Sequence, residues 1–175
     1  MGQEIIECEI DACEDCIEIC VYDWNNEYWA SYIRVDEYNI DEVCEFINEL
    51  NWRDGDYEIQ LIQDHGDTGG LYDFLRGQEN EVLNPAVWSI WSKCGDDHIA
   101  VYNDVIGDAD IDGLRTFEYS SYNDVYDLMD CMFPDLYRVL RDNCMMHLFD
   151  TDGFMAELDD VAVVSDGNIV SYWFE

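Results

Sequence analysis

Cys8, Cys13 and Cys16 stand at the C-x4-C-x2-C spacing that plant-type ferredoxins use for an iron–sulfur cluster, with Cys44 available as a distant fourth ligand. The intervening residues oppose that chemistry. Glu9, Asp11, Glu14 and Asp15 would surround an already negative cluster with carboxylates, where cluster sulfurs need backbone and side-chain donors. Zinc through Cys13, Cys16 and Cys20 lacks the second CxxC or His pair that completes a tetrahedral site. Hydrophobic alternation gives a simpler account. Ile6, Cys8, Ile10 and Ala12 face inward on a strand, Ala12-Cys13-Glu14-Asp15 turns the chain, and Ile17, Ile19 and Val21 face inward on the next. The eight cysteines are then reduced packing residues, as expected in a reducing compartment.

Asp108-Ala109-Asp110-Ile111-Asp112-Gly113 reproduces the first six positions of an EF-hand calcium loop. The twelfth position, which must be a bidentate Glu, is Tyr119, and Glu118 falls one residue short. Catalytic patterns are equally thin. His65, His98 and His147 stand in unrelated contexts, and His65 reads as part of a polar loop. No GxSxG, P-loop, HExxH or dinucleotide glycine pattern is present. Carboxylates are so abundant that a hydrolase pair can be drawn anywhere, which removes the information from any one pair. The chain is read as a non-enzyme with no metal and no cofactor.

The elements that would carry any site read as α+β. Strands are predicted at about 4–11, 17–23 and 28–35, with a turn at Asn25-Asn26, then a helix at about 40–50 and a strand after Gly55. A short helix near 70–77 precedes a second one opened by Asn84-Pro85 and closed by Gly95, carrying Val87, Trp88 and Trp91. Residues 98–106 fit either a helix or a strand. A strand at about 115–120, a helix at about 121–132, a helix opened by Pro134 and one capped by Asp150 follow. Asp166-Gly167 between two alternating apolar runs predicts a two-residue hairpin. The expected architecture is α+β, antiparallel sheets with packed helices around a helical middle segment. The predicted boundaries are 1–63, 64–110 and 111–175.

Charge is the dominant feature. Asp and Glu number 42 against 7 Lys and Arg, a net charge of −35 on 175 residues, yet 49% of residues are apolar and 14% aromatic. Disordered acidic tails are poor in both, so this chain folds and wears its charge outside. Phosphate neutralisation needs basic patches, which excludes nucleic-acid binding, and the anionic leaflet of a membrane repels such a chain. No apolar run reaches the ~18 residues of a membrane span, and the acidic start lacks a signal peptide's basic region, so a cytoplasmic location is expected. Residues 1–60, 61–118 and 119–175 carry −16, −9 and −10, a coat over the whole chain.

On the predicted helix at 40–50, Ile40, Val43, Cys44, Ile47 and Leu50 form the core face, while Asp41, Glu45 and Glu49 repeat at i, i+4, i+8 with Glu42 beside them. Like charges at that spacing cost about 0.2–0.5 kcal/mol per pair. They stand about 6 Å apart along the axis, close to the spacing of phosphates along a nucleic-acid strand. Asp124, Asp127 and Asp130 make a similar stripe, and Asp108, Asp110 and Asp112 a third cluster. These ten are the candidate phosphate surrogates. For a folded surface of roughly 8,800 Å², net charge averages one per about 250 Å², against one per about 110 Å² for duplex DNA. An even coat is about twofold too dilute, so the arrangement must carry any imitation. Halophilic or generic solubility acidity is the competing explanation.

Cys20-Val21-Tyr22-Asp23-Trp24-Asn25-Asn26-Glu27-Tyr28-Trp29-Ala30 resembles the opening of ArdA-type antirestriction proteins. Asp56-Tyr57-Glu58-Ile59-Gln60-Leu61-Ile62-Gln63-Asp64 is similar to their next strand. Tyr119-Ser120-Ser121-Tyr122-Asn123-Asp124, Leu148-Phe149-Asp150-Thr151-Asp152-Gly153-Phe154 and the ending Ser171-Tyr172-Trp173-Phe174 are similar to their C-terminal part. The resemblance implies a phage or mobile-element protein that mimics DNA and fills the basic groove of type I restriction–modification enzymes. It also implies an elongated chain of three small domains and a homodimer joined through the C-terminal one. An anti-CRISPR or other anti-defence mimic with a different basic target, and a cysteine-ligated iron–sulfur or zinc protein, stand as alternatives.

Overall fold

The computed structural model describes residues 4–23, 28–49 and 57–175. The fold is α+β, and the chain divides into two compact units, Met1–Leu114 and Arg115–Glu175. The predicted turn at Asn25-Asn26, Leu50 and Gly55 lie outside the described residues.

In the first unit, β1 (Glu4–Glu7), β2 (Cys16–Asp23), β3 (Tyr28–Val35) and β4 (Glu58–His65) form a sheet in the order β1-β3-β2-β4. β2 runs antiparallel to both β3 and β4, while β1 lies parallel to β3. The predicted first strand therefore stops at Glu7, and it does not return through Ala12–Asp15 as the hairpin partner of β2. The reason lies in the bonds of the connecting segment. Cys13 N donates to Asp36 Oδ2 at 2.6 Å and Asn39 Nδ2 donates to Asp11 O at 3.1 Å, which ties residues 11–13 to the turn after β3. β1 is left beside β3.

Alternation places Ile17, Ile19 and Val21 fully inside, with Ile33, Val35 and Ile59 from the neighbouring strands. Helix α1 (Ile40–Glu49) lies against β3 and buries Ile40, Val43 and Ile47. Each such side chain contributes about 1.5–3 kcal/mol on burial. β3 carries a bulge: Ile33 pairs with Ile19 and Ala30 with Val21, so Ser31 and Tyr32 together oppose Cys20. Tyr32 takes φ 60, in the left-handed region.

Helices α2 (Gly69–Leu75), α3 (Pro85–Cys94), α4 (Asp96–Val105) and α5 (Ile111–Thr116), with a 3-10 turn at Glu79–Leu83, make the helical middle segment. Residues 98–106, open between helix and strand in the sequence, belong almost entirely to α4. Asn84 caps α3 as expected, its side chain accepting from Ala86 N, with Pro85 at the first helical position. Trp88 is buried in that helix, and its indole N–H donates to Val82 O at 2.8 Å.

The second unit is an antiparallel sheet in the order β5-β7-β6. It is built from β5 (Phe117–Tyr122), β6 (Ala162–Ser165) and β7 (Asn168–Phe174). Its helices are α6 (Val125–Met132), α7 (Pro134–Asp142) and α8 (Thr151–Ala156), with a 3-10 turn at Met146–Leu148. α6 starts four residues later than predicted because Asn123 and Asp124 stay outside it. The Asp124 side chain caps the helix, and Tyr122 remains in β5. Asp166 (φ 46) and Gly167 (φ 82) form the predicted hairpin turn, with Ser165 paired to Asn168. The core gathers Leu128, Ala162 and Ile169, with Tyr122, Val125, Phe154, Met155 and Leu158 around them. α7 buries none of its residues.

Candidate functional site

All ten candidate carboxylates are exposed: Asp41, Glu42, Glu45, Glu49, Asp108, Asp110, Asp112, Asp124, Asp127 and Asp130. They differ in what else they do. Asp124 accepts from Tyr126 N at 2.8 Å and Asp127 N at 2.9 Å, and Asp127 accepts from Asn123 Nδ2 at 2.7 Å. Asp110 accepts from Asp112 N and Gly113 N, both at 3.1 Å, and so starts α5. The calcium-loop spacing at 108–113 is thus spent on a helix cap. Among the described residues, no group of three or more His, Cys, Asp or Glu is arranged to hold a metal ion.

Among the described residues, none draws the four carboxylates of α1 into such a duty. Burial of Ile40, Val43 and Ile47 fixes the helix's rotation, and the acids fall on the opposite side because apolar and acidic residues repeat at helical spacing. Asp41 and Glu42 sit in the first turn, where the helix dipole favours them, but Glu49 ends the helix and no base accompanies it in the last turn. Ten residues span about 15 Å. A DNA strand places one phosphate per ~3.4 Å of axis, or about four over the same length. α1 therefore carries the linear charge of one DNA strand.

The average surface does not. With 10,616 Å² accessible, net charge falls at one per about 300 Å², nearly threefold below the ~110 Å² of the duplex. The acid stripe on α6, Asp127 and Asp130 with Asp124 at its cap, belongs to the second unit, and the α1 and 108–112 groups to the first.

Three carboxylates among the described residues are buried, and sequence reasoning had placed none of them inside. Asp36 accepts from Cys13 N, Tyr38 N and Asn39 N and locks the β3–α1 turn. Asp96 accepts from Gly70 N at 2.6 Å and Leu71 N at 2.8 Å; burial pushes its carboxyl above the usual carboxylate value, against the pull of those two N–H groups. Glu18 lies 3.2 Å from Arg34 Nε and 3.4 Å from His65 Nε2. His65 is thus the last residue of β4 facing a buried carboxylate, not part of a polar loop. Spacing would have flagged Asp36, since Asp-x-x-Asn immediately before an apolar helical repeat is a turn-and-cap pattern.

The cysteines are all free thiols, and Cys16 and Cys20 are buried in β2. Burial raises Cys8, Cys16, Cys20 and Cys44 above the ordinary thiol value. Cys13 is pushed up to about 11, first by desolvation and then by the Asp36 carboxylate. None of these five is prepared as a thiolate ligand or nucleophile.

An apolar face was also missed. On and beside α7, Met132, Phe133, Leu136 and Val139 are exposed, Val139 by 57%. The helix carries Asp135 and Asp142 against Arg138 and Arg141, so it is locally neutral within a chain of −35. An apolar groove of about 440 Å³ adjoins its end, lined by Leu140, Met145, Leu148, Phe149 and Phe154. The signal was the apolar repeat Leu136, Val139, Leu140 without an element assigned to cover it. No protein-family model, curated protein or solved structure matches this chain.

Proposed function

We propose that this protein is a non-enzymatic DNA mimic that occupies the basic DNA-binding groove of a type I restriction–modification enzyme, in the cytoplasm of the host cell. The observation that carries the reading is the outer face of α1, where four exposed carboxylates, with no base on the helix itself, equal in number the phosphates of one DNA strand over the same length. Halophilic acidity raises mean surface charge and has no need of four acids without a base on one short helix. Association with a basic groove is then fast and strongly weakened by salt. The acting species is a homodimer. Two chains of −35 repel, and the locally neutral apolar face of α7 supports a contact between copies that the acid coat elsewhere opposes.

Titration of the protein into a type I enzyme bound to labelled DNA tests this directly. Release of the DNA at low salt, reversed as salt rises, is expected. Undiminished DNA binding at low salt across several such enzymes removes the proposal, and capture of a different DNA-binding complex from host lysate redirects it to another anti-defence target.

A further inference from the structure

Two tyrosines of the first unit stand in solvent at positions where a folded chain gains nothing from them. Tyr32 is 71% exposed and Tyr38 is 80% exposed. Tyr32 is the extra residue of the β3 bulge and takes φ 60, a conformation that glycine adopts freely and an aromatic residue rarely adopts. Residues held in such conformations cluster at binding and catalytic sites, because selection for folding alone would remove them.

Tyr38 precedes the N-cap of α1, Asn39, whose carbonyl accepts from Val43 N. A side chain at that position commonly folds back onto the residue four places into the helix, here Val43. Val43 is fully buried without it, and the Tyr38 ring points to water with its hydroxyl at the Glu37 carboxylate. The turn beneath it is rigid. Asp36 Oδ1 accepts from Tyr38 N at 2.7 Å and from Asn39 N at 2.8 Å, while Asn39 Oδ1 accepts from Asp36 N at 2.9 Å. The ring is therefore presented, at little entropic cost, three residues before the first carboxylate of the α1 line.

We infer that Tyr32 and Tyr38 are partner-reading side chains that take arginine or lysine side chains of the basic target against their ring faces. The field of a chain at −35 selects cationic side chains as what arrives there, and ring faces attract cations. Tyrosine is also enriched among the few residues that dominate protein interfaces, since it supplies large area with few rotamers to fix. The carboxylates of α1 supply long-range attraction without regard to detail; the two rings supply short-range preference for one basic surface over another. The inference rests on the DNA-mimic reading.

The experiment is the DNA-release titration with four proteins: wild type, Tyr32→Gly/Tyr38→Ser, Tyr32→Phe/Tyr38→Phe, and Glu45→Gln/Glu49→Gln. Each exposed-to-desolvated cation–ring contact corresponds to roughly a 2- to 30-fold change in affinity. The Gly/Ser variant should release DNA only at roughly tenfold or higher concentration, with a urea midpoint no lower than wild type because Tyr32→Gly relieves the bulge. The Phe variant should match wild type. Wild-type competition by the Gly/Ser variant, while the glutamine variant loses potency, overturns the inference and leaves the mimic standing. A lowered urea midpoint for the Gly/Ser variant overturns it as well, by giving the rings a folding role. Failure of the wild type to release DNA removes both readings together.

Discussion

Replacing Glu45 and Glu49 with glutamine should make the protein more stable and less active at once. The change removes three like-charge neighbours on α1: Asp41 with Glu45, Glu45 with Glu49, and Glu42 with Glu45. At about 0.2–0.5 kcal/mol each they total about 0.6–1.5 kcal/mol. Removing the Glu49 charge from the negative end of the helix adds about 0.3–1 kcal/mol. Glutamine and glutamate have nearly equal helix propensity, so the swap itself is neutral. The first unit should gain about 1–2.5 kcal/mol at low ionic strength, a midpoint shift of about 0.5–1 M urea at a typical slope for small proteins. Tryptophan fluorescence follows the transition, since Trp88 is buried in this unit. The gain should shrink at ~0.15 M salt, where screening acts over about 8 Å. Asp41→Asn with Glu42→Gln is the control. Those two acids lie in the first turn, where the dipole favours them, so their loss should leave stability unchanged or lower. In the DNA-release titration the Glu45/Glu49 variant should need more protein. A midpoint that stays put or falls refutes the electrostatic account of α1, and a raised midpoint with unaltered DNA release refutes its assignment as the mimic surface.

Three further outcomes follow from other parts of the fold. Asp96→Asn places an amide N–H₂ or a single acceptor before two backbone donors, and should destabilise the first unit by about 1–3 kcal/mol in urea; Gly70→Ala should do at least as much, because its Cβ would stand 2.6 Å from Asp96 O and 2.9 Å from Ala100 N. Cys13, although exposed, should alkylate at pH 8 roughly tenfold more slowly than a thiol at the ordinary value of 9.0, because a roughly 100-fold smaller thiolate fraction is partly offset by the greater nucleophilicity of a more basic thiolate, and its rate should keep rising to about pH 11; mass spectrometry of the labelled sites reads this. Val139→Asp, at an exposed position on α7, should convert the proposed dimer to a monomer in light scattering with no loss of secondary structure.

Local chemistry was legible in the sequence and long-range chemistry was not. The rotation of α1 follows from Ile40, Val43 and Ile47, the start of α3 from Asn84-Pro85, and the β6–β7 hairpin from Asp166-Gly167, because each signal lies within a few residues of its effect. β1 pairs with β3 some 24 residues away, a choice made by the Cys13–Asp36 and Asn39–Asp11 bonds rather than by any local pattern. The bulge at Tyr32 is equally invisible, since only the pairing of β2 with β3 shows that Ser31 and Tyr32 share one partner.

Acidic composition concealed the rest. Among 42 acids, residue type does not separate Asp36, Asp96 and Glu18, which hold backbone N–H groups or a guanidinium, from carboxylates that face water. The same ambiguity bears on the site. A cap such as Asp110 or Asp124 has its place whether or not a partner exists, since a helix start needs an acceptor. Glu45 and Glu49 lack that justification: they oppose one another, one of them opposes the dipole, and the fold would be better off without them. Mean charge is nearly threefold too dilute to resemble DNA, so abundance argues only for solubility. Any mimicry of DNA therefore falls to those acids whose positions cost the fold something, and α1 is where that cost is concentrated.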